Sequence, residues 1–301
     1  MNNNTNQLPV NRQYKERIFE MLYQDKKELL ELYNAVNGTN YKDPDQLEIN
    51  TLENAIYMAM HNDISFVIGW TVSLYEHQST FSPNLPLRFL FYMSDLYSKI
   101  TKDANLYGEK KVKIPAPKFI IFYNGVEERQ EREVLRLSEL YHIKEQGPEL
   151  ELTATLLNIN IGYNEALKKT CKSLGDYSEY TGRVRAYAKD LPIEEAVEKA
   201  ITECIQEGIL KDFLSKHRAE AKKVSIYEYD EEKHLRMERE QSYADGLKQG
   251  IEQGIEQGCK KASERMNQLI LKLSALGRMD DIVQAAENPE YQKKLFEEFK
   301  L

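Results

Sequence analysis

The sequence predicts an α/β protein: helices and a partly parallel sheet through residue 162, followed by a mostly α-helical C-terminal region. Three observations carry this reading. PKFIIFYNG (117–125) is an unbroken apolar run closed by Asn124-Gly125, the pattern of a strand buried on both faces. Residues 47–80 are dominated by β-branched and aromatic residues, with Gly69 near the middle, as expected of strands joined by a turn. From about residue 163 the apolar spacing becomes helical, and glycines recur every fourth residue at 246, 250, 254 and 258.

Taken in order, residues 1–10 are polar and expected to fray. YKERIFEMLYQDKKELLELYNAV then spaces Ile18, Phe19, Leu22, Leu29, Leu32, Tyr33 and Val36 as one helix ended by Asn37-Gly38. One strand is expected near 52–60, a second from Asp63, a turn at Gly69, and a third through Val72, Leu74 and Tyr75 to Gln78. PLRFLFYMSDLYSKIT suits a largely buried helix opened by Pro86. After the 117–125 strand, ELTATLLNINI (151–161) reads as another strand. A later helix starts at Pro192 and stops near Gly208. The resulting division is a core over 11–162, a helical region over 163–235, and over 236–301 a glycine-repeat helix with short amphipathic helices at the end.

The glycine repeat is itself informative. At 3.6 residues per turn a four-residue repeat drifts by about 40° per step, so the stripe wraps slowly round the helix. Each interior glycine costs roughly 0.5–1 kcal/mol relative to Ala. Glu252, Gln253, Glu256 and Gln257 exclude a membrane dimerisation motif. A polar helical spacer, or a segment covered by a partner, remains.

Composition bounds the function. The chain of 301 residues is 41% hydrophobic and 30% charged, with no apolar run near the roughly 18 residues of a membrane span. The start lacks the apolar middle of a secretory signal, so a cytoplasmic protein is expected. Cys171, Cys204 and Cys259 are odd in number and widely spaced, which suits reduced packing residues better than disulfides or a zinc site. A net charge of -8 argues against bulk nucleic-acid binding and leaves room for a local basic surface.

SLYEHQST (73–80) carries the chemistry. Strand side chains alternate, so Glu76 and Gln78 share a face while His77 points away and is expected to be a packed residue. A hairpin about Gly69 would bring Asp63 to Glu76 at one end of the sheet. Two clustered carboxylates repel unless a cation lies between them. Hard oxygen ligands of this kind suit Mg²⁺ or Mn²⁺, which can polarise a phosphate and activate water.

These residues, Asp63, Glu76-His77-Gln78-Ser79, PLRFLFYM and FIIFYNG, resemble the Rpn family of recombination-promoting nucleases, which also carries a transposase label. The likeness extends to the helix around Phe19, to LENAIYMAMHNDISF and to the glycine-repeat tail. It implies a PD-(D/E)XK nuclease core, that is, a restriction-endonuclease-like mixed sheet flanked by helices. It also implies metal-dependent DNA cleavage linked to recombination or mobile elements, with Asp63 and Glu76 as metal ligands. Gln78 stands where many relatives of that superfamily carry a lysine, and Gln can neither supply a positive charge nor lose a proton. The proline before the first acidic residue is also absent, Asn62 taking its place. A further acid from the first helix often joins such sites; Glu16 and Glu20 are the candidates, with Glu16 preferred beside Lys15.

For DNA contact, residues 81–120 hold seven basic residues against Asp95, Asp103 and Glu109. Lys110, Lys111 and Lys113 either meet phosphates or decorate a solvated loop. Arg88, on the first turn after the Glu-x-Gln strand, is the best single phosphate contact. The competing reading is a catalytically weak or inactive DNA-binding or interaction protein, assembled through its helical C-terminal half. Self-association is an expectation either way, since cutting both strands of a duplex needs two sites or two events.

Overall fold

A computed structural model of the chain describes residues 18–49, 63–144 and 146–301, apart from the side chains at 231, 232 and 235. The strand expected near 52–60, the N-terminal ten residues and Glu16 lie outside the described residues. The described residues divide into two compact units, one up to Lys233 and one from His234 to Leu301.

The first unit opens with α1 (Ile18–Tyr23) and α2 (Lys26–Asn37). Here the structure corrects the expectation of one helix. Asp25 accepts the Lys27 N–H at 2.8 Å and caps α2, while Gly38, at φ 64°, closes it. The apolar spacing runs on across the break, but Asp25 with Glu28 three residues later is a capping signature that marks a new start.

Among the described residues the strands are β1 (Glu48–Ile49), β2 (Ile64–Ile68), β3 (Thr71–Gln78), β4 (Ala116–Tyr123), β5 (Arg132–Arg136) and β6 (Thr153–Asn158). They form one mixed sheet in the order β1-β2-β3-β4-β6-β5. β3, β4 and β6 are parallel neighbours, and the antiparallel strands lie towards the two edges. The 117–125 run is β4, the central parallel strand. Phe122 joins Phe19, Tyr75 and Tyr177 in one cluster, whereas Phe119, Ile121 and Tyr123 join Val72, Leu74 and Phe89 in another. A strand covered on both faces has no polar side to show, which is why its sequence does not alternate.

The remaining helices of this unit are α3 (Leu85–Ile100), α4 (Glu165–Thr170), α5 (Lys172–Tyr187), α6 (Ile193–Glu207) and α7 (Lys211–Lys216). α3 covers one face of the sheet; α1, α2, α5 and α6 contribute to the cluster on the other. The helices after residue 163 therefore share a core with the sheet. Gly208, at φ 81°, ends α6 as its sequence position suggested.

α8 runs from Arg218 to Ala275, and α9 (Met279–Glu287) and α10 (Pro289–Glu298) follow. The short helices expected at the end of the chain are α9 and α10, preceded by the end of the long α8. Within the second unit Leu269, Leu273, Ala285 and Leu295 are buried together, and Asn288 caps α10 by accepting the Glu290 and Tyr291 N–H groups. Cys171 and Cys204 are buried, whereas Cys259 is exposed. No helix among the described residues is long and apolar enough to cross a membrane.

A Cβ built on Gly246, Gly250, Gly254 or Gly258 meets nothing within 4 Å. Replacing all four by Ala is expected to raise helicity and thermal stability, by roughly 0.5–1 kcal/mol per site. A circular-dichroism melt checks this; a lower melting temperature would mean that the bare stripe is used for packing.

Candidate active site

The site begins with a turn. β2 and β3 are joined by Gly69-Trp70, and Gly69 has φ 57°, a conformation that a residue with a Cβ resists. This two-residue turn fixes the register Ile68↔Thr71 through Ile64↔Tyr75, and one further step sets Asp63 across from Glu76. The Asp63 carboxylate turns onto the neighbouring strand, where Oδ2 accepts the His77 backbone N–H at 2.6 Å. It thereby extends the hairpin by a side-chain bond where main-chain pairing has stopped.

β3 alternates as its sequence requires. Glu76 is 1% exposed and Gln78 8%, on the same face as Val72 and Leu74, which meets α3. His77 faces the other way: its ring stacks on Phe19 at 5.0 Å between centroids, and its Nε2 shares a 2.9 Å hydrogen bond with the Tyr177 hydroxyl. The expectation that His77 is a packed residue holds. Phe19 also shows that α1 approaches the sheet from the His77 side. Glu20 follows Phe19 on that helix and is half-buried.

A residue with α3's first turn completes the cluster. Arg88 places Nη2 3.6 Å from Glu76 Oε1 and 2.9 Å from the hydroxyl of Tyr92, one turn along the same helix. Burial disfavours the charged guanidinium, but Glu76, Tyr92 and Asp63 outweigh it and hold the pKa of Arg88 above its ordinary value. The Tyr92 hydroxyl is pushed up to about 12, by burial first and by Glu76 next, with Arg88 pulling it back. Both carboxylates are thus felt by one guanidinium, which stays charged and whose planar fork suits phosphate oxygens.

The rim is held by Asn124, which the sequence reading took only as a strand end, and by Arg185 and Asn160, which it did not single out. Asn124 donates its N–H to Gln78 O at 2.9 Å, tying the end of β4 to the end of β3. Arg185 of α5 donates to Asn124 Oδ1 at 2.5 Å, and Asn160 donates to Gly125 O at 2.9 Å. Asn124 is 1% exposed, so these bonds offset the cost of burying its polar groups. Gly125 passes so close to Ser79 that a Cβ there would lie 2.2 Å from the Ser79 carbonyl oxygen. Gly125→Ala is expected to cost about 1–3 kcal/mol through overpacking at this rim, measurable as a lower midpoint in urea; an unchanged midpoint would show that the loop yields freely.

Lys110, Lys111 and Lys113 are not brought to this cluster. They precede Ala116, which pairs with Thr71 and donates its N–H to Trp70 O at 2.9 Å, at the opposite end of β3. Five residue steps of strand lead from Thr71 to Glu76, roughly 16 Å at a rise of about 3.3 Å per residue. These lysines and Arg88 cannot serve one phosphate. Lys118, on β4, donates to Asn37 Oδ1 at 2.6 Å.

Among the described residues no group of three or more His, Cys, Asp or Glu is placed to hold a metal ion. Asp63 and Glu76 remain as a two-carboxylate donor set. That set fits a cation such as Mg²⁺, which keeps several waters and commonly takes one or two protein carboxylates together with substrate phosphate. Set against known proteins, the chain matches no family model, no curated protein and no solved structure.

Proposed function

We propose that the protein is a divalent-metal-dependent DNA endonuclease with a restriction-endonuclease-like core, as the resemblance to the Rpn recombination nucleases implies. The observation that supports it best is the convergence of Asp63 and Glu76 across one hairpin, beside Arg88. Asp63 and Glu76 would hold Mg²⁺ or Mn²⁺, which when bound polarises a phosphate and lowers the pKa of water. The Asp63–His77 hydrogen bond fixes one carboxylate, and burial of Glu76 strengthens its pull on any cation. Arg88 binds a non-bridging phosphate oxygen and stabilises charge that develops there. Gln78 orients water or phosphate through its amide without changing charge.

A second reading is favoured by two features. Gln78 brings no cation, and the separate unit from His234 displays Leu247, Ile251 and Ile255 to solvent. On this reading the protein binds DNA or a partner without cutting, assembled through its C-terminal helices.

Supercoiled plasmid incubated with Mg²⁺ or Mn²⁺ decides between them. The nuclease reading expects nicked and linear products that EDTA suppresses, and a Gln78→Lys variant that cuts at least as fast as wild type. Retained DNA binding with no cutting in either metal leaves the non-catalytic reading standing.

A further inference from the structure

We infer that the end of the sheet opposite Glu76 is a docking surface for single-stranded nucleic acid, with Trp70 and Tyr107 stacking on bases and Lys110, Lys111 and Lys113 meeting phosphates. The choice of nucleic acid as occupant rests on the phosphodiester reading of Asp63 and Glu76.

Between α3 and β4 the chain runs from 101 to 115 without a helix or strand. Connections of that length without secondary structure are uncommon in compact domains and usually serve function. The loop is nonetheless ordered by its own bonds. Tyr97 donates its hydroxyl to Pro115 O at 2.7 Å, Ala104 donates to Thr101 O at 2.9 Å, and Tyr107 N–H reaches Asn105 Oδ1 at 3.1 Å. The Trp70–Ala116 bond joins its end to the β2–β3 turn.

What the two segments display is unusual for a solvated surface. Trp70, the single tryptophan of the chain, is 71% exposed, and Tyr107 is 101% exposed. Leu106 and Ile114 are exposed as well. Lys102, Lys110, Lys111 and Lys113 are exposed on the same loop, against Asp103 and Glu109, in a protein of net charge -8. Lysines alone would suit any phosphate backbone. Free aromatic faces add a reason to prefer single strands, because their unstacked bases offer π-faces to Trp and Tyr. The roughly 16 Å from Thr71 to Glu76 is at most about five nucleotides, since even a stacked strand advances about 3.4 Å per nucleotide, so a strand held here lies within a few nucleotides of the candidate active site.

Trp70 is its own reporter. Titrating the full chain with a short oligo(dT), without divalent metal, is expected to quench its fluorescence. The apparent Kd should rise steeply between about 50 and 200 mM salt. With a labelled oligo(dT) and anisotropy, Tyr107→Ala is expected to weaken binding roughly tenfold, the scale of losing one base–aromatic stack. Lys110→Glu/Lys111→Glu/Lys113→Glu should weaken it more, with unchanged circular dichroism. A matched duplex should quench less. Equal quenching by duplex and oligo(dT), with no effect of Tyr107→Ala, would overturn the stacking claim. A response to phosphatidylserine vesicles but not to oligo(dT) would make this a membrane surface and overturn the proposal. Because no metal is present, absence of cleavage elsewhere leaves this result interpretable: quenching with no cleavage refutes the nuclease reading alone.

Discussion

Asp63→Asn is expected to lower metal-dependent cleavage by roughly 10²–10³-fold while leaving the fold nearly as stable as wild type. The two effects separate because Asp63 has two tasks. Its Oδ2 accepts the His77 N–H at 2.6 Å, a bond that an amide oxygen in the same place can also accept. Its charge, by contrast, is felt by Arg88 and is what a divalent cation would need. Metal polarisation contributes several kcal/mol to a transition state, and about 1.4 kcal/mol is tenfold in rate. Asp63→Ala removes both tasks. It should lose cleavage to the same extent and also cost about 1–3 kcal/mol, because the partly buried His77 N–H then lacks its acceptor. Single-turnover rates and urea melts on the two variants provide the check. Equal stability of Asn and Ala variants would show that the hairpin end does not depend on this bond.

Phe19→Ala should produce the largest loss of stability, about 3–5 kcal/mol. Phe19 is fully buried and touches four rings: Tyr23 at 4.7 Å, His77 at 5.0 Å, Phe122 at 5.2 Å and Tyr177 at 5.5 Å between centroids. It joins α1, β3, β4 and α5, so truncation leaves a cavity that no single element can close. It also frees the ring of His77, whose backbone N–H holds Asp63. Cleavage is therefore expected to fall well before global unfolding as temperature rises. Parallel melts and activity curves test this; a loss below about 1 kcal/mol would mean that the cluster repacks.

Much of the sheet was legible because its strands announce themselves. β4 is apolar throughout and closed by Asn124-Gly125, and the β2–β3 hairpin turns on a glycine with positive φ. β1 and β5 escaped notice for a physical reason. Both are edge strands, and REVLR in β5 buries only Leu135 while Arg132, Val134 and Arg136 are exposed. Edge strands need little apolar surface and gain from charge. The opposite face of His77 followed from the two-residue period, and the placement of Asp63 across from Glu76 from the hairpin turn at Gly69. The position of the lysines could not be read locally, because it depends on the parallel register Thr71↔Ala116. Nor could the Asn124–Arg185 contact, which joins residues 61 apart. Arg88 lies between these cases: its place after the Glu-x-Gln strand suggested a phosphate contact, and the structure adds Glu76 and Tyr92 as its neighbours.

The most direct measurement is the initial rate of Mg²⁺-dependent cleavage by wild type and Glu76→Gln at equal DNA occupancy. Glu76 is the buried carboxylate of the cluster, and Gln keeps its size while removing its charge. The expected result is cleavage by wild type, abolished by EDTA and reduced at least roughly 100-fold in the variant with DNA affinity unchanged. Equal rates in the two proteins, or no cleavage by wild type with any divalent metal, would contradict a metal-dependent nuclease built on Asp63 and Glu76.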